Sequence, residues 1–299
     1  MPTNKDAAAG AKGTLFVVAT PIGNLGDITL RALEVLTAVD IIAAEDTRHT
    51  GRLLKGRQPK GRFIAYHEHN EEVRAPQLIE KLEAGLSVAV VSNAGTPSVS
   101  DPGYRLVASA VARRIPVSPV PGVSAAMAAL SVSGLPTDAF VFVGFLPRKK
   151  GRRTEQLHAL GTESRTLIFY ESPRRVARLL EDLLTIFGDR PAVLGREMTK
   201  LHEEFLRGRL SEVSALLAAR ADIKGECTLV VSGRLAAPAA DVADLHEKLV
   251  DRMGRKKAVL SELVREVVRE TGLPRKVVYG AALDVKRTLD QKDETDGPA

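Results

Sequence analysis

The sequence contains very little cysteine and few aromatic residues. Cys227 is the only cysteine in 299 residues, so we expect neither a disulfide framework nor a thiolate metal cluster, as fits a reducing compartment. Tryptophan is absent and aromatic residues make up 4% of the chain, which argues against binding by stacking on many unpaired bases. A nucleic-acid ligand would therefore be held mainly through its phosphates.

Long hydrophobic runs are also missing. The first segment, MPTNKDAAAGAKG, is small and polar and lacks the apolar stretch of a secretion signal. No later apolar run approaches the roughly eighteen residues that a membrane span needs. We therefore expect a cytoplasmic protein that is not inserted in a membrane.

The composition is that of a globular protein, with 44% hydrophobic and 27% charged residues. A length of 299 residues predicts two domains with room for a small third unit. The net charge is +6, and basic residues cluster in RKKGRR at 148–153 and in the set Arg252, Arg255, Lys256 and Lys257. Nucleic acid is the natural partner to test, although a solvated loop or helix face explains each cluster equally well.

Strand-like apolar runs alternate with helix-length segments. The first series is typical of a parallel sheet covered by helices and comprises TLFVVA, Leu30 to Val39, DIIAAE, Ala75 to Ala84, SVAVVS, Tyr104 to Ala112 and PVSPVPG. The second series comprises FVFVGF, Glu155 to Leu160, RTLIFYE, Arg174 to Phe187, PAVLGRE, Leu210 to Ala219 and CTLVVSG. Two tandem α/β domains are predicted, at 13–135 and 136–236.

A small C-terminal unit at 237–299 follows a composition change. RLAAPAADVAD is rich in alanine and proline, as linkers are. KAVLSELVREVV and TGLPRKVVYGAALDVK then predict a helix, a glycine-containing turn and a second helix that begins near Thr271 or Leu273. A helix-turn-helix and a helical hairpin packed on the body both fit this pattern.

Three loops follow predicted strands, where ligands gather in α/β sheets. They are TPIGNLGD, SNAGTPSVSDPG (92–103) and PVPGVSAA (119–126). None matches a phosphate loop, because Gly23 and Gly26 are separated by two residues and no lysine follows them. We expect a ligand held by backbone groups and small polar side chains, with Asn24 and Asp27 as further contacts to test.

These loops, with AAEDTRHTGRLL, YESPRRV, REMTKLHEE and KGECTLVV, resemble the ribosomal RNA small subunit methyltransferase I family. That family belongs to the tetrapyrrole-methylase-like, class III methyltransferases, and the similarity runs from Gly13 to Ser232. The resemblance implies S-adenosylmethionine bound in the cleft between two α/β domains of a homodimer. It also implies methyl transfer to the ribose 2′-hydroxyl of a cytidine in the decoding region of 16S ribosomal RNA, on 30S particles.

The resemblance supplies candidate catalytic residues. Glu45 or Asp46 would orient or deprotonate the hydroxyl, and Arg48 would clamp a phosphate. Glu197 and Lys200 would play parallel roles from the second domain. The structural alternatives are Asp46 as a helix N-cap and Lys200 as an ordinary surface lysine.

Six residues are candidate cofactor contacts: Pro21, Gly95, Thr96, Ser124, Ala125 and Glu226. The alternative for the loop residues is that they only shape turns, and Glu226 would otherwise pair with Lys224. Two positions depart from the family pattern, because Asn93 replaces a common aspartate and Val123 a common proline. The two histidines and the carboxylate of His67, Glu68 and His69 have no clear further metal ligand nearby in the sequence. We therefore assign no metal site.

Other details are open at this stage. Ser172 and Pro173 in ESPRR are typical of a helix start, whereas Arg174 and Arg175 would still face RNA. Two alternative functions are compatible with the fold: a tetrapyrrole C-methyltransferase, and a non-catalytic RNA-binding assembly factor. The basic tail and EDTRHTGRLL argue against the first, and Asn93 keeps the second open.

Overall fold

The computed structural model describes residues 12–220, 222–234, 242–255, 260–271, 273 and 275–295. The chain forms two compact units, Met1–Gly233 and Arg234–Ala299. The first unit contains two five-stranded sheets with helices. The predicted α/β fold with two successive sheets is therefore confirmed.

The first sheet is entirely parallel, with strand order β3-β2-β4-β1-β5. Its strands are β1 (Leu15–Val18), β2 (Ile41–Ala44), β3 (Arg62–Ala65), β4 (Val88–Val91) and β5 (Val117–Val120). Its helices are α1 (Leu30–Ala38), α2 (Thr47–Leu53), α3 (Glu71–Glu83), α4 (Tyr104–Ala112) and α5 (Ala125–Ser131). β2 and β4 are buried at every position, as expected of central strands with sequences IIAA and VAVV.

Alternate residues of the central strands enter two separate cores. Ile41 and Ala43 pack with α3 and α4 on one face, whereas Ile42 and Ala44 pack with α1 on the other. Because both faces are covered, only the strand ends and the loops that follow them are available for a ligand.

The second sheet is mixed, with strand order β6-β7-β10-β8-β9. Its strands are β6 (Phe140–Phe145), β7 (Thr166–Glu171), β8 (Pro191–Arg196), β9 (Glu204–Arg209) and β10 (Cys227–Val231). β6 pairs parallel with β7, while β10 runs antiparallel to both β7 and β8, and β9 antiparallel to β8. The helices are α6 (Lys150–Leu160), α7 (Pro173–Phe187) and α8 (Leu210–Ala218).

Strands β3 and β9 were not predicted from the sequence. Each lies at the edge of its sheet, so one side of its backbone has no partner strand. β3 begins with Arg62, and β9 carries Arg207 and Arg209. Charged residues of this kind protect edge strands from further pairing, and they also interrupt the apolar run by which a strand is recognised.

The second unit contains three helices within its described residues: α9 (Val242–Arg255), α10 (Leu260–Thr271) and α11 (Arg275–Thr295). Apolar residues of all three helices form one buried cluster that includes Leu245, Leu249, Val264, Val267 and Val278. The predicted pair of helices corresponds to α10 and α11, and α9 precedes them. Gly272 of the predicted turn, linker residues 235–241, and Lys256 and Lys257 lie outside the described residues. No described helix is long and apolar enough to cross a membrane.

Candidate active site

The loops after β1, β4 and β5 come together at one edge of the first sheet. These three strands are neighbours and run parallel, so their carboxyl ends coincide. Thr20 and Gly95 exchange backbone hydrogen bonds of 2.9 and 3.0 Å. The Thr96 hydroxyl donates to the Val123 carbonyl at 3.2 Å. The three loops singled out in the sequence thus form one wall.

The facing wall comes from the ends of β7 and β10. Because these strands are antiparallel, the last residues of β7 lie beside the first of β10, with Tyr170 opposite Thr228. The Ala126 N–H at the start of α5 donates to the Tyr170 hydroxyl at 3.0 Å, which joins the two walls. Ile22 and Met198 belong to the apolar cluster that continues this contact.

A cavity of about 300 Å³ lies between the walls. This volume lies at the lower end of the range found for small-molecule sites. Five of the six candidate cofactor residues line it: Gly95, Thr96, Ser124, Ala125 and Glu226. Pro21 does not, although Ile22 beside it does. The other lining residues are Ala94, Val99, Ser100, Asp101, Phe145, Tyr170, Glu171, Ser172, Pro173, Met198, Cys227 and Thr228.

Asp101 also lines the cavity, and no sequence pattern had singled it out. Burial raises its pKa to about 7, and the negative charges of Glu45 and Glu226 act in the same direction. The preceding turn is strained, since Ser98 and Ser100 have φ of +70° and +64°. In the sequence, Ser-Asp-Pro-Gly is the ordinary chemistry of a turn, so no signal distinguished this carboxylate.

Lys200 connects Glu226, which lines the cavity, with Glu197, which follows β8 and does not. Its ammonium lies 2.8 Å from Glu197 Oε1 and 3.1 Å from Glu226 Oε2, and the Glu226 N–H donates to Glu197 at 3.0 Å. The hydrogen bond from Lys200 lowers the pKa of Glu197. Lys224 pairs instead with Asp222 at 3.5 Å, so the expected alternative pairing of Glu226 with Lys224 was wrong. Lys200 is 28% exposed at the side chain and does not itself line the cavity.

The first loop lies against this lysine. A β-carbon at Gly23 would collide with the Lys200 side chain, so only glycine permits the approach. The adjacent Asn24 accepts from Gly26 N–H at 3.0 Å and stabilises the turn of its own loop. Asn24 and Asp27 do not line the cavity. TPIGNLGD is therefore a contact between domains, with Ile22 as its cavity residue.

The EDTRH segment has a structural role at Asp46. Its carboxylate accepts from the Arg48 and His49 N–H groups at 2.8 and 3.3 Å, which caps α2 and lowers the pKa of Asp46. The Arg48 side chain is 90% exposed and lies 3.5 Å from Asp46. Glu45 accepts from the Asn93 N–H at 2.9 Å. Neither Asp46 nor Arg48 lines the cavity, and the capping alternative is confirmed.

The departure at Asn93 leaves one polar atom without a partner. The Asn93 side-chain oxygen is buried and has no hydrogen-bond partner among the described residues. At Val123, the second departure, the backbone carbonyl accepts the hydrogen bond from the Thr96 hydroxyl. Among the described residues, no group of three potential ligands is placed to hold a metal ion, and His67 contacts the Asn70 amide at 3.1 Å.

The basic segment at 148–153 divides into two parts. Arg148, Lys149, Lys150 and Arg152 are exposed. Arg153 is buried and pairs with Asp182 at 2.7 Å, so it cannot contact RNA as the cluster suggested. Ser172 and Pro173 begin α7 as expected. Arg175 instead pairs with buried Glu171 at 3.0 Å.

Comparison with known proteins identifies the family. Residues 14–214 match the family described as Tetrapyrrole (Corrin/Porphyrin) Methylases. "Ribosomal RNA small subunit methyltransferase I" of Micromonospora olivasterospora is 50% identical over 276 residues, which covers 92% of this chain and 88% of the relative. This chain belongs to the ribosomal RNA small subunit methyltransferase I family. The Synechocystis sp. member is 46% identical over 277 residues, covering 92% of this chain and 99% of the relative.

Solved structures of other methyltransferases share this fold. The methyltransferase CobJ superposes with a TM-score of 0.57 at 19% identity, covering 76% of this chain and 98% of the neighbour. Uroporphyrin-III C-methyl transferase from Thermus thermophilus, complexed with S-adenyl homocysteine, gives 0.51 at 21% identity, covering 74% and 97%. These likenesses establish the fold, while the closer relatives establish that the chain is a methyltransferase.

Proposed function

We propose that the chain transfers a methyl group from S-adenosylmethionine to the ribose 2′-hydroxyl of a cytidine in the decoding region of 16S ribosomal RNA. The substrate is the small ribosomal subunit in the cytoplasm. The observation that carries this proposal is the cavity between the two walls, in a chain 50% identical to a ribosomal RNA methyltransferase.

The residues of the cavity fit this cofactor. Apolar side chains, including Ile22, Phe145 and Met198, suit the adenine and methylene groups. The Thr96 and Ser124 hydroxyls and the loop backbone offer neutral hydrogen bonds to the amino-acid part. Carboxylates at Asp101 and Glu226 suit a ligand with a positive charge. S-adenosylmethionine supplies an electrophilic methyl group on a positively charged sulfur.

The remaining candidates act by position. Lys200 fixes Glu226 at the cavity rim, so the Glu226 carboxylate is available to the hydroxyls of the adenosine ribose. Glu197 in turn pairs with Lys200 at 2.8 Å. Glu45 fixes the Asn93 backbone and thereby the second loop. These side chains orient the ligand, and alignment is the main requirement for a transfer of this kind.

The ribosomal RNA contacts charged groups outside the cavity. Arg48 extends into solvent, and so do Arg148, Lys149, Lys150 and Arg152. These side chains suit phosphates, whose contact gives affinity without base specificity. We also propose a homodimer and a domain boundary near residue 136, between α5 and β6. Light scattering on the purified protein tests the dimer.

Tritium transfer from labelled cofactor to 30S particles tests the function. Particles from a strain lacking the modification should become labelled, and mass spectrometry should place the label on a cytidine ribose. Label on a porphyrinogen but not on the particles would favour a tetrapyrrole C-methyltransferase. Cofactor binding by calorimetry without transfer to either would refute the proposal, and absence of cofactor binding would favour an assembly factor.

A matched pair of glycine variants tests whether the cofactor binds in this cavity. Gly225 and Gly134 both have positive φ, +88° and +73°. A β-carbon at Gly225 would collide with Glu197, whereas one at Gly134 meets no atom within 4 Å. Gly225→Ala should weaken cofactor binding at least about tenfold, corresponding to about 1.4 kcal/mol. Gly134→Ala should bind normally, because it carries only the backbone strain.

A further inference from the structure

The chain that leads into edge strand β3 carries a large excess of positive charge. From Thr47 to His67 there are six lysine or arginine residues and no aspartate or glutamate. All six side chains are exposed: Arg48, Arg52, Lys55, Arg57, Lys60 and Arg62. Because glycine and neutral residues separate these cations, they form no continuous basic run in the sequence.

Two of the six cations are neutralised within the protein. Arg48 lies 3.5 Å from Asp46, and Lys60 lies 2.7 Å from Asp40. The other four have no carboxylate partner in the part of the chain that the structure describes: Arg52, Lys55, Arg57 and Arg62. Their charges are therefore available to an anion from outside.

A small cavity between β3 and α3 adds two more cations. It has a volume of about 250 Å³ and is lined by Arg62, Ile64, Arg74, Gln77, Leu78, Glu80 and Lys81. Arg74 donates to the Gln77 side chain at 2.9 Å, and within the described ranges neither Arg74 nor Lys81 has an ion pair. One carboxylate, Glu80, thus stands among three cations, so the cavity favours an anion.

The connection from α2 to β3 is fixed against α1. The Lys60 N–H donates to the Thr37 carbonyl of α1 at 3.0 Å. A β-carbon at Gly61 would collide with the backbone carbonyl of Val39, so the chain passes as close to α1 as glycine permits. Leu54 is buried in the core on the same side. Since the backbone is held in place, mainly side-chain ordering opposes the binding of an anion.

The surroundings of these cations suit phosphates better than bases or lipids. No large apolar side chain is exposed at 47–66, since Phe63 is half-buried and Tyr66 is buried. A base therefore finds no aromatic ring to stack on, and a lipid tail finds no apolar anchor. We call the six cations without a carboxylate partner the β3 surface: Arg52, Lys55, Arg57, Arg62, Arg74 and Lys81.

We propose that the β3 surface binds phosphates of the ribosomal RNA and docks the small subunit on the enzyme. This inference rests on the proposed function. No residue of the β3 surface lines the methyl-transfer cavity. β3 lies three strand spacings from β1, roughly 14 Å across the sheet. Phosphate contacts at this distance position the substrate and do not touch the reacting atoms.

Steady-state methylation of 30S particles tests the β3 surface. The double variant Arg57→Gln, Arg62→Gln should raise KM for the particles at least about tenfold and leave kcat within about twofold of wild type. The slope of log affinity against log salt concentration should become shallower by about 1.5, because two phosphate contacts are lost. Calorimetry should show unchanged binding of S-adenosylhomocysteine, which establishes that the fold is intact.

The matched control is Arg165→Gln, Arg178→Gln. It removes the same charge from exposed positions of the second domain and should match the wild type. A KM for Arg57→Gln, Arg62→Gln within about threefold of the control would overturn the proposal, since net charge alone would then explain the effect. A greater loss of binding to phosphatidylglycerol vesicles than to 30S particles would also overturn it, in favour of a membrane surface.

Lysine acetylation, read by mass spectrometry, gives a readout without turnover. In the complex of wild-type protein with 30S particles, Lys55 and Lys81 should react at least about fivefold more slowly than in the free protein. Wild-type protein that binds the particles without methylating them refutes the proposed function, and the protection of these lysines then decides on the β3 surface. Methylation without protection overturns only the inference. Absence of binding to the particles overturns it as well.

Discussion

The two α/β domains contribute to the cavity in different ways. The parallel sheet of the first domain brings three neighbouring strand ends together, so its contacts are backbone groups and small side chains of loops. The mixed sheet of the second domain places the end of β7 beside the start of β10, and its contacts are side chains such as Tyr170 and Glu226. Strand pairing thus positions both halves of the cavity, parallel in the first domain and antiparallel in the second.

The ion pairs of the two domains differ in how far they are buried. In the second domain, Arg153 and Asp182 are 6% and 19% exposed at the side chain, and Glu171, paired with Arg175, is 1% exposed. In the first domain, Lys60, which pairs with Asp40, is 71% exposed. Exposed pairs contribute little, whereas breaking a buried pair leaves an uncompensated charge. The second domain should therefore be the more sensitive to loss of a charge.

The largest expected effect comes from Arg153→Met. Removal of the guanidinium leaves the Asp182 carboxylate without its partner, so the free energy of unfolding should fall by about 3 kcal/mol. Chemical denaturation measures the change. Arg152→Met, the exposed neighbour, should change stability by less than about 0.5 kcal/mol. Equal losses in the two variants would show that burial does not distinguish the pairs.

The corresponding change in the first domain is Lys60→Met. Because Lys60 is mostly exposed, we expect a loss of at most about 1 kcal/mol. A double variant, Arg153→Met with Asp182→Asn, should recover part of the stability lost by Arg153→Met, since no unpaired charge remains. Failure to recover would mean that packing of the Arg153 stem, not its charge, dominates.

The difference between the domains also explains which parts were predictable. Buried strands such as IIAA and the loops beyond parallel strands follow from apolar pattern and turn chemistry, and Gly95, Thr96 and Ser124 do line the cavity. The rule that ligands lie at carboxyl ends of strands does not hold at β10, whose first residues line the cavity.

Antiparallel pairing is a long-range property that local sequence does not encode, so Tyr170 and Thr228 could not be paired in advance. Asp101 was missed for another reason. Its pKa depends on burial and on Glu45 and Glu226, which are distant in sequence. A carboxylate in a turn acquires such a property only once the chain has folded.

Tyr170→Phe tests the contact between the domains. The variant keeps the ring, which packs edge-on against Phe142, but leaves the Ala126 N–H without its acceptor. A lost hydrogen bond of this kind costs about 1 kcal/mol, so affinity for S-adenosylhomocysteine should fall about fivefold in calorimetry. Tyr279→Phe in α11 should leave affinity unchanged. An unchanged affinity in Tyr170→Phe would mean that apolar contacts alone join the walls.

Acidity should weaken the second domain through Glu204. Hydrogen bonds from Arg220 and Arg196 lower the pKa of Glu204 to about 2, below its ordinary value of 4.5. The pair's stabilisation is therefore present above pH 4.5 and is lost as the pH falls toward 2. Solvent screens this partly exposed site, so we expect about 1 kcal/mol.

Urea unfolding of wild type and Arg220→Met measures this effect. The difference between them should be fully present at pH 6, decrease below pH 4.5 and approach zero only near pH 2, because protonated Glu204 no longer attracts the guanidinium. Lys60→Met, which removes the exposed partner of Asp40 in the first domain, is the control for loss of a mostly exposed cation. A difference that is independent of pH would assign the effect to packing of the Arg220 side chain.

The smallest effect is expected at Asp46. Asp46 caps α2 and does not line the cavity, so Asp46→Ala should leave the single-turnover rate at pH 8 within about threefold of wild type. Asp46→Asn, which retains a capping oxygen, should restore any loss of thermal stability. A large rate loss in both variants, with cofactor binding intact, would instead place the catalytic base at the start of α2, at the carboxyl end of β2.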